Sequence, residues 1–349
     1  MPWRARFRRW LDRWLAPAAE RGAGTAAGLP PARRRAQRQD GRALRLALQG
    51  GGAHGAFTWG VLDRLLEEPG LTFPQITGAS AGALNGAMLV SGHARGGPAG
   101  AREALAELWE GVGKIGALMA PLQVPQRLAN GMGLPGAEMV SSMMRLWSPT
   151  QINPFNLNPL RELLERIVDV DALRTSSIRL HVAATNVETG AARLFSGDDL
   201  SIDALMASAC LPFLYQPVTI DGVAYWDGGY SANPPIEPLC GEAAEILLVQ
   251  INPDCRLRVP SSATDILDRV NEITFNASLL AELRLFELDR ACRERDGMHP
   301  DDLPRLHRIA LHDALGDAVL SGKGSLDAND HRALRERGRL AADRWLAGG

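Results

Sequence analysis

Two glycine-rich turns, about thirty residues apart, constrain this chain more than any other feature. The first is Gln49-Gly50-Gly51-Gly52-Ala53-His54-Gly55 and the second is Gly78-Ala79-Ser80-Ala81-Gly82. Each follows a short apolar run with strand character and opens a segment with helical spacing. Residues 44–48 alternate as Leu-Arg-Leu-Ala-Leu, and 75–77 form a second short strand. Residues 53–68 bring Phe57, Val61, Leu65 and Leu66 to one helical face, and 81–90 are small and apolar. The order strand, glycine loop, helix, strand, serine turn, helix is an α/β pattern.

The rest of the chain continues that pattern. Residues 178–186 read as a strand. Residues 217–220 and 223–226 read as short strands about an Asp221-Gly222 hairpin turn. The continuous apolar run 246–251 is a buried parallel strand, and 306–311 a last strand. Residues 101–110, 159–168, 201–209, 263–295 and 328–346 have helical spacing. No internal repeat interrupts the series.

A chain of 349 residues, 46% apolar and 22% charged, can build a sizeable core in one large domain or two ordinary ones. Its formal net charge of −2 gives no reason to expect a nucleic-acid partner. The charge is uneven, because residues 1–42 hold eleven Arg against Asp12, Glu20 and Asp40. Within 3–15, Trp3, Phe7, Trp10, Leu11, Trp14 and Leu15 share one helical face, with Arg4, Arg6, Arg8, Arg9 and Arg13 mostly elsewhere. That is the profile of an interfacial membrane helix, or of a helix docked on its own domain or on a partner. Residues 16–42 read as a disordered Ala/Gly/Pro/Arg linker.

Cys210, Cys240, Cys255 and Cys292 show neither metal nor redox spacing. No run approaches the ~20 apolar residues of a membrane span, and charges interrupt any secretory signal. The expected setting is cytoplasmic, with peripheral contact at the inner membrane surface through Trp3, Trp10, Trp14 and the N-terminal arginines. No metal or cofactor is expected. The insertion at 112–157 is irregular and rich in methionine (Met119, Met132, Met139, Met143, Met144). It reads as a cap over an acyl-chain pocket or as ordinary core filling.

Ser80 stands where a G-x-S-x-G turn exposes a nucleophile between a strand and a helix. A tight turn with a helix-capping serine would use the same residues. The glycine loop can present bare N–H groups to an oxyanion. Gly50, Gly52 and Gly55 also match the dinucleotide pattern G-x-G-x-x-G. That pattern calls for a carboxylate near the end of the second strand, to hold a ribose. Here Ser80 follows that strand, and Asp63, Glu67 and Glu68 lie on the preceding helix.

A serine also needs a base. Of the seven histidines, His299, His307 and His312 come late enough to serve in a triad. The other candidate is Asp227, in Trp226-Asp227-Gly228-Gly229-Tyr230, where it closes a strand and opens a Gly-Gly turn. A solvent-exposed turn aspartate is the plain alternative. Asn233-Pro234-Pro235 would stiffen the loop that follows. A histidine-triad esterase, a dinucleotide-dependent oxidoreductase and a catalytically silent membrane scaffold remain alternatives on these residues.

The glycine loop, the Gly78–Gly82 pentad and Asp227-Gly228-Gly229, in that order, resemble the patatin-like phospholipases. Ile152-Asn153-Pro154 through Arg166, and Ala207-Ser208-Ala209-Cys210-Leu211-Pro212-Phe213, are similar to bacterial members. The resemblance covers residues 43–312, leaving 313–349 as a C-terminal helical segment packed on the domain. It implies a three-layer α/β/α fold with a mostly parallel central sheet. It also implies hydrolysis of lipid carboxylic esters, phospholipid or lysophospholipid first, by a Ser80–Asp227 dyad without histidine. The oxyanion hole would come from the Gly50–Gly55 loop, chiefly the N–H groups of Gly51 and Gly52 with Ala53. The family usually carries Arg or Lys where this chain has His54. A histidine there would give weaker electrostatic help, and its charge would change near pH ~6.5.

Overall fold

The computed structural model describes residues 41–131, 148–212, 214–256, 259–315 and 328–348. The N-terminal segment expected as an amphipathic helix and linker, and Met132, Met139, Met143 and Met144, lie outside the described residues. The chain divides into two units. The larger comprises Arg42–Asp254 and Pro260–Gly349 and holds every regular element described below. Of the smaller, Met1–Gly41 with Cys255–Val259, only Gly41, Cys255, Arg256 and Val259 are described, without regular structure.

Among the described residues there are ten strands: β1 (Arg42–Ala43), β2 (Arg45–Leu48), β3 (Leu71–Thr72), β4 (Gln75–Ala79), β5 (Arg179–Asn186), β6 (Ala192–Ser196), β7 (Val218–Ile220), β8 (Val223–Asp227), β9 (Glu245–Gln250) and β10 (Arg305–Ala310). The helices are α1 (Gly55–Leu65), α2 (Ala81–Gly131), α3 (Pro149–Ile152), α4 (Pro159–Ile167), α5 (Val170–Thr175), α6 (Ile202–Ser208), α7 (Ala263–Arg295), α8 (Leu311–Leu315) and α9 (Ala328–Gly348). Among the described residues the first strand starts at Arg42, the last residue of the expected linker. The two helices expected at 81–90 and 101–110 are arms of α2, separated by non-helical backbone at Gly96 and Gly97.

The main sheet has eight strands. Its path runs β10-β9-β2-β4-β5-β8-β7, with β6 also on β5. β10, β9, β2, β4 and β5 are mutually parallel, and helices lie on both sides. Buried on both faces, β2 and β9 carry near-continuous apolar runs, while β4 also buries Gln75 and Thr77. Leu46, Ala47 and Leu48 of β2, and Ile246 to Val249 of β9, are inaccessible to solvent. Phe57, Val61 and Leu65 of α1 join this core, as do Met88 and Leu89 of α2.

The register around β5 decides where the chemistry can occur. On one edge, β6 pairs with residues 181–185. On the other, β4 pairs with 179–183, ending at Ala79 opposite Ala183. β8 pairs antiparallel with 184–186, starting from Asp227 opposite Ala184. Since β6 already occupies its own edge at Ala184 and Thr185, β8 takes the edge that β4 leaves. The last residues of β4 and β8 therefore meet at neighbouring rungs, about 3.3 Å apart along β5.

Candidate active site

Ser80 is the single residue between β4 and α2. Its φ is +50°, in the left-handed region that a residue with a side chain seldom adopts. The pentad glycines allow this turn by close approach. A Cβ on Gly82 would lie 2.0 Å from the Leu48 carbonyl oxygen, and one on Gly78 2.6 Å from the Ala83 nitrogen. The Ser80 N–H donates to Ser208 Oγ at 2.9 Å, which pins the turn to the end of α6. Ser80 itself is 7% exposed.

Asp227, at the end of β8, is fully buried. Its backbone N–H donates to Cys210 O at 2.8 Å, and Thr185 Oγ1 donates to its carbonyl at 2.8 Å. Its Oδ1 accepts from the Gly229 N–H at 2.7 Å, so the Gly-Gly turn holds the carboxylate in place. A Cβ on Gly228 would lie 2.1 Å from the Ala183 carbonyl oxygen, so only glycine lets the turn pass β5. Two neighbours feel the Asp227 charge. Burial first, and then that charge, push the Tyr230 phenol up to about 12. Burial raises the Cys210 thiol to about 11, with Asp227 adding to the rise and a backbone hydrogen bond at Val218 opposing it.

The glycine loop lies directly against the serine. A Cβ on Gly50 would be 2.8 Å from Ser80 Cβ. The loop passes through a 3-10 turn (Gly52–His54) into α1, so its amides sit at the positive end of a helix. The structure narrows the expected donor set. The Gly50 N–H is directed at Asn233 Oδ1 (2.7 Å), and the Gly55 N–H turns back to the Ala53 and Gly52 carbonyls. Gly50 and Gly55 therefore anchor the loop, and the candidate donors become Gly51, Gly52 and Ala53. Gly52 is exposed, Ala53 partly so, and His54 is buried. Gly52, at φ +61°, needs its lack of a side chain for the turn.

Sequence reasoning missed what holds this loop. Gln49 Oε1 accepts from the Ile251 and Asn252 N–H groups at 2.9 and 2.8 Å, and its Nε2 donates to Asn276 Oδ1 at 2.8 Å. The Gly50 carbonyl accepts from Asn252 Nδ2 at 2.6 Å and Asn233 Nδ2 at 3.2 Å. On the far side of the loop, Asn85 Nδ2 of α2 donates to the Gly55 carbonyl at 3.1 Å, and its Oδ1 accepts from Trp109 Nε1. These carboxamides come from widely separated parts of the chain. Only the position of Asn233, just after Asp227-Gly-Gly, hinted at a role.

The candidate histidines stand elsewhere. His307 lies on β10, paired with Glu245 at 2.6 Å, three strands or roughly 14 Å from β4. His299 precedes β10, beside Asp301 and at the opposite end of the strands from Ser80. His312 is in α8, just past the same outer strand. Asp227, unlike these histidines, stands on the rung of β5 next to the one that Ala79, the residue before Ser80, occupies.

Among the described residues no helix is long and apolar enough to cross a membrane. A search of the curated proteins found no match. Among solved structures, VipD from Legionella pneumophila is similar at 16% identity and a TM-score of 0.43, covering 88% of this chain and 67% of its own. ExoU from Pseudomonas aeruginosa, solved in complex with SpcU, is similar at 14% identity and a TM-score of 0.27, with 88% and 60% covered. This chain thus spans about two thirds or less of the length of either. The family model of the patatin-like phospholipases matches residues 46–240, a span that runs from β2 through both glycine turns and Asp227. That match takes in more than half of the chain, and the protein belongs to the patatin-like phospholipase family.

Proposed function

We propose that the protein hydrolyses carboxylic esters of lipids through an acyl-enzyme on Ser80, with Asp227 as its base. The supporting observation is the meeting of β4 and β8 on one edge of β5, which sets Ser80, at φ +50°, beside the buried Asp227. In the first step Ser80 Oγ attacks the ester carbonyl and Asp227 takes its proton. The oxyanion is held by the N–H groups of Gly51, Gly52 and Ala53 at the start of α1. Collapse of the tetrahedral intermediate releases the alcohol, which recovers the proton. Water then repeats the sequence on the acyl-enzyme and frees the fatty acid.

An aspartate is a weak base in water, with an ordinary pKa of ~3.9. Complete burial and the fixed Gly229 hydrogen bond remove competing solvent and leave the carboxylate one geometry. The reading predicts that an active-site-directed fluorophosphonate labels Ser80 in the wild type and leaves Ser80→Ala unlabelled. Equal labelling of both would overturn it. Phospholipid and lysophospholipid are the substrates to assay first.

A further inference from the structure

Two loops tied together by a hydrogen bond each leave large apolar side chains exposed, and one of them starts at Cys210, which holds Asp227. The first loop runs from Asn153 to Leu157. Asn153 closes it from both sides: its Nδ2 donates to Leu157 O and its Oδ1 accepts from Leu157 N–H, each at 2.9 Å. The Asn156 N–H also donates to Asn153 O, and Asn156 is in the left-handed region at φ +49°. Phe155 sits at the apex of this closed loop and is 84% exposed, with Leu157 at 69%.

The second loop follows Cys210, the residue whose carbonyl accepts the Asp227 N–H. It turns back on itself through Leu214 and Tyr215 N–H bonds to Leu211 O, and leaves Leu214 58% exposed. Gln216 Nε2 donates to Asn153 O at 3.0 Å and joins the two loops. Holding large apolar side chains in water on hydrogen-bonded loops is unfavourable unless something covers them.

The composition says what kind of surface that is. Neither residues 148–160 nor residues 204–220 contain an Asp, Glu, Lys, Arg or His, in a chain that is 22% charged. Loops with no charge of their own, bordered by charges already paired as Arg161 with Asp203, favour an uncharged partner that buries apolar area. The geometry points to Phe155, Leu157 and Leu214 as the contact by which the protein seats on a neutral lipid–water interface, with Ser80 facing the lipid. This rests on the lipid-hydrolase reading for its purpose, though the binding can be measured without catalysis.

The test uses the full chain carrying Ser80→Ala, and vesicles of phosphatidylcholine alone. Flotation is measured at low salt and at about 1 M NaCl, where the Debye length is only ~3 Å. The expected result is binding that survives salt and weakens by about tenfold or more when Phe155, Leu157 and Leu214 are all changed to Ser. Three exposed sites should leave the thermal unfolding midpoint in place, and Phe155→Ser alone should give a smaller loss of the same kind. In the active protein, the same substitutions should lower the ratio of vesicle to soluble short-chain ester hydrolysis.

Undiminished binding by the triple variant would overturn the proposal. So would binding that needs anionic lipid and vanishes in salt, which would make the Arg-rich N-terminal segment the anchor instead. A wild type inactive on every ester would defeat the hydrolase reading and leave the flotation result standing.

Discussion

The two ends of α1 are held by opposite chemistry. At its N-terminal end, the glycine loop is gripped by the neutral carboxamides of Gln49, Asn233, Asn252 and Asn85. At its C-terminal end, the carboxylate of Asp63 is buried among three arginines. Arg102 donates from α2 at 2.8 Å, Arg335 from α9 at 2.9 Å, and Arg339 from α9 as well. Arg102 and Arg339 extend the cluster to Glu67, and Arg64 pairs with Asp343. Ion pairs clamp three helices together. Amides fix the loop where the proposed oxyanion forms without placing a permanent charge beside it. The helix is anchored by charge where only strength is needed, and by dipoles where a developing charge must be accommodated.

The sharpest way to break this contrast begins at the catalytic end. Ser80→Ala and Asp227→Asn should each reduce ester hydrolysis by at least about 10⁴-fold, with urea unfolding curves close to wild type. Full activity in Asp227→Asn would remove the dyad. At the other end, Asp63→Ala should cost about 2–3 kcal/mol of stability while kcat/KM of the folded fraction is kept. That is less than for a fully buried pair, because the arginines stay partly hydrated. An activity loss beyond the unfolded fraction would show the two ends to be coupled.

The same cluster sets a pH dependence. Burial alone would raise the Asp63 carboxyl, but hydrogen bonds from Arg102 and Arg339, with the charges of Arg335 and Arg102, hold it below the ordinary carboxylate value. A carboxyl lowered on folding contributes its full stability above its unfolded pKa and loses it as pH falls through the folded one. Stability measured from pH ~6 downward should therefore decline, and Asp63→Ala should flatten that acid limb.

Next in size is the amide end. Asn252→Leu removes a donor to the Gly50 carbonyl and should lower kcat by about tenfold to hundredfold with little change in KM. A pure KM effect would mean that the carboxamide shapes binding rather than the oxyanion loop. The smallest effect concerns Cys210. With its thiol raised to about 11, iodoacetamide near neutral pH should modify exposed Cys255 and Cys292 while sparing Cys210, as peptide mapping would show.

Much of this architecture is legible in the chain because backbone constraints are local. Apolar runs such as Ile246 to Val249 mark strands buried on both faces. The Asp221-Gly222 pair marks the hairpin between β7 and β8, with Asp221 and Gly222 both at positive φ. β6 escaped notice because Ala192–Ser196 is short and half exposed, with no clean alternation. The carboxamide cluster was equally hidden, since Gln49 and Asn252 are 203 positions apart and an isolated Asn or Gln carries no pattern. Asp63 entered the sequence reading only as a carboxylate in the wrong place for a ribose. The arginines that explain it are as much as 276 residues away. Phe155 carries no pattern in the sequence, because its exposure depends on the loop that Asn153 closes.

By itself the sequence determined the two glycine turns, the serine between a strand and a helix, and the aspartate before a Gly-Gly turn. Each is dictated by steric limits on a few consecutive residues. Only the tertiary structure decided that β8 takes the edge of β5 that β4 vacates, burying Asp227 on the rung next to Ala79 rather than leaving it a surface turn. It also decided that Gly50 anchors the loop and that Gln216 ties the Phe155 loop to the Leu214 loop. Strand order and long-range hydrogen bonds depend on which distant surfaces can bury one another, and no local pattern encodes that choice.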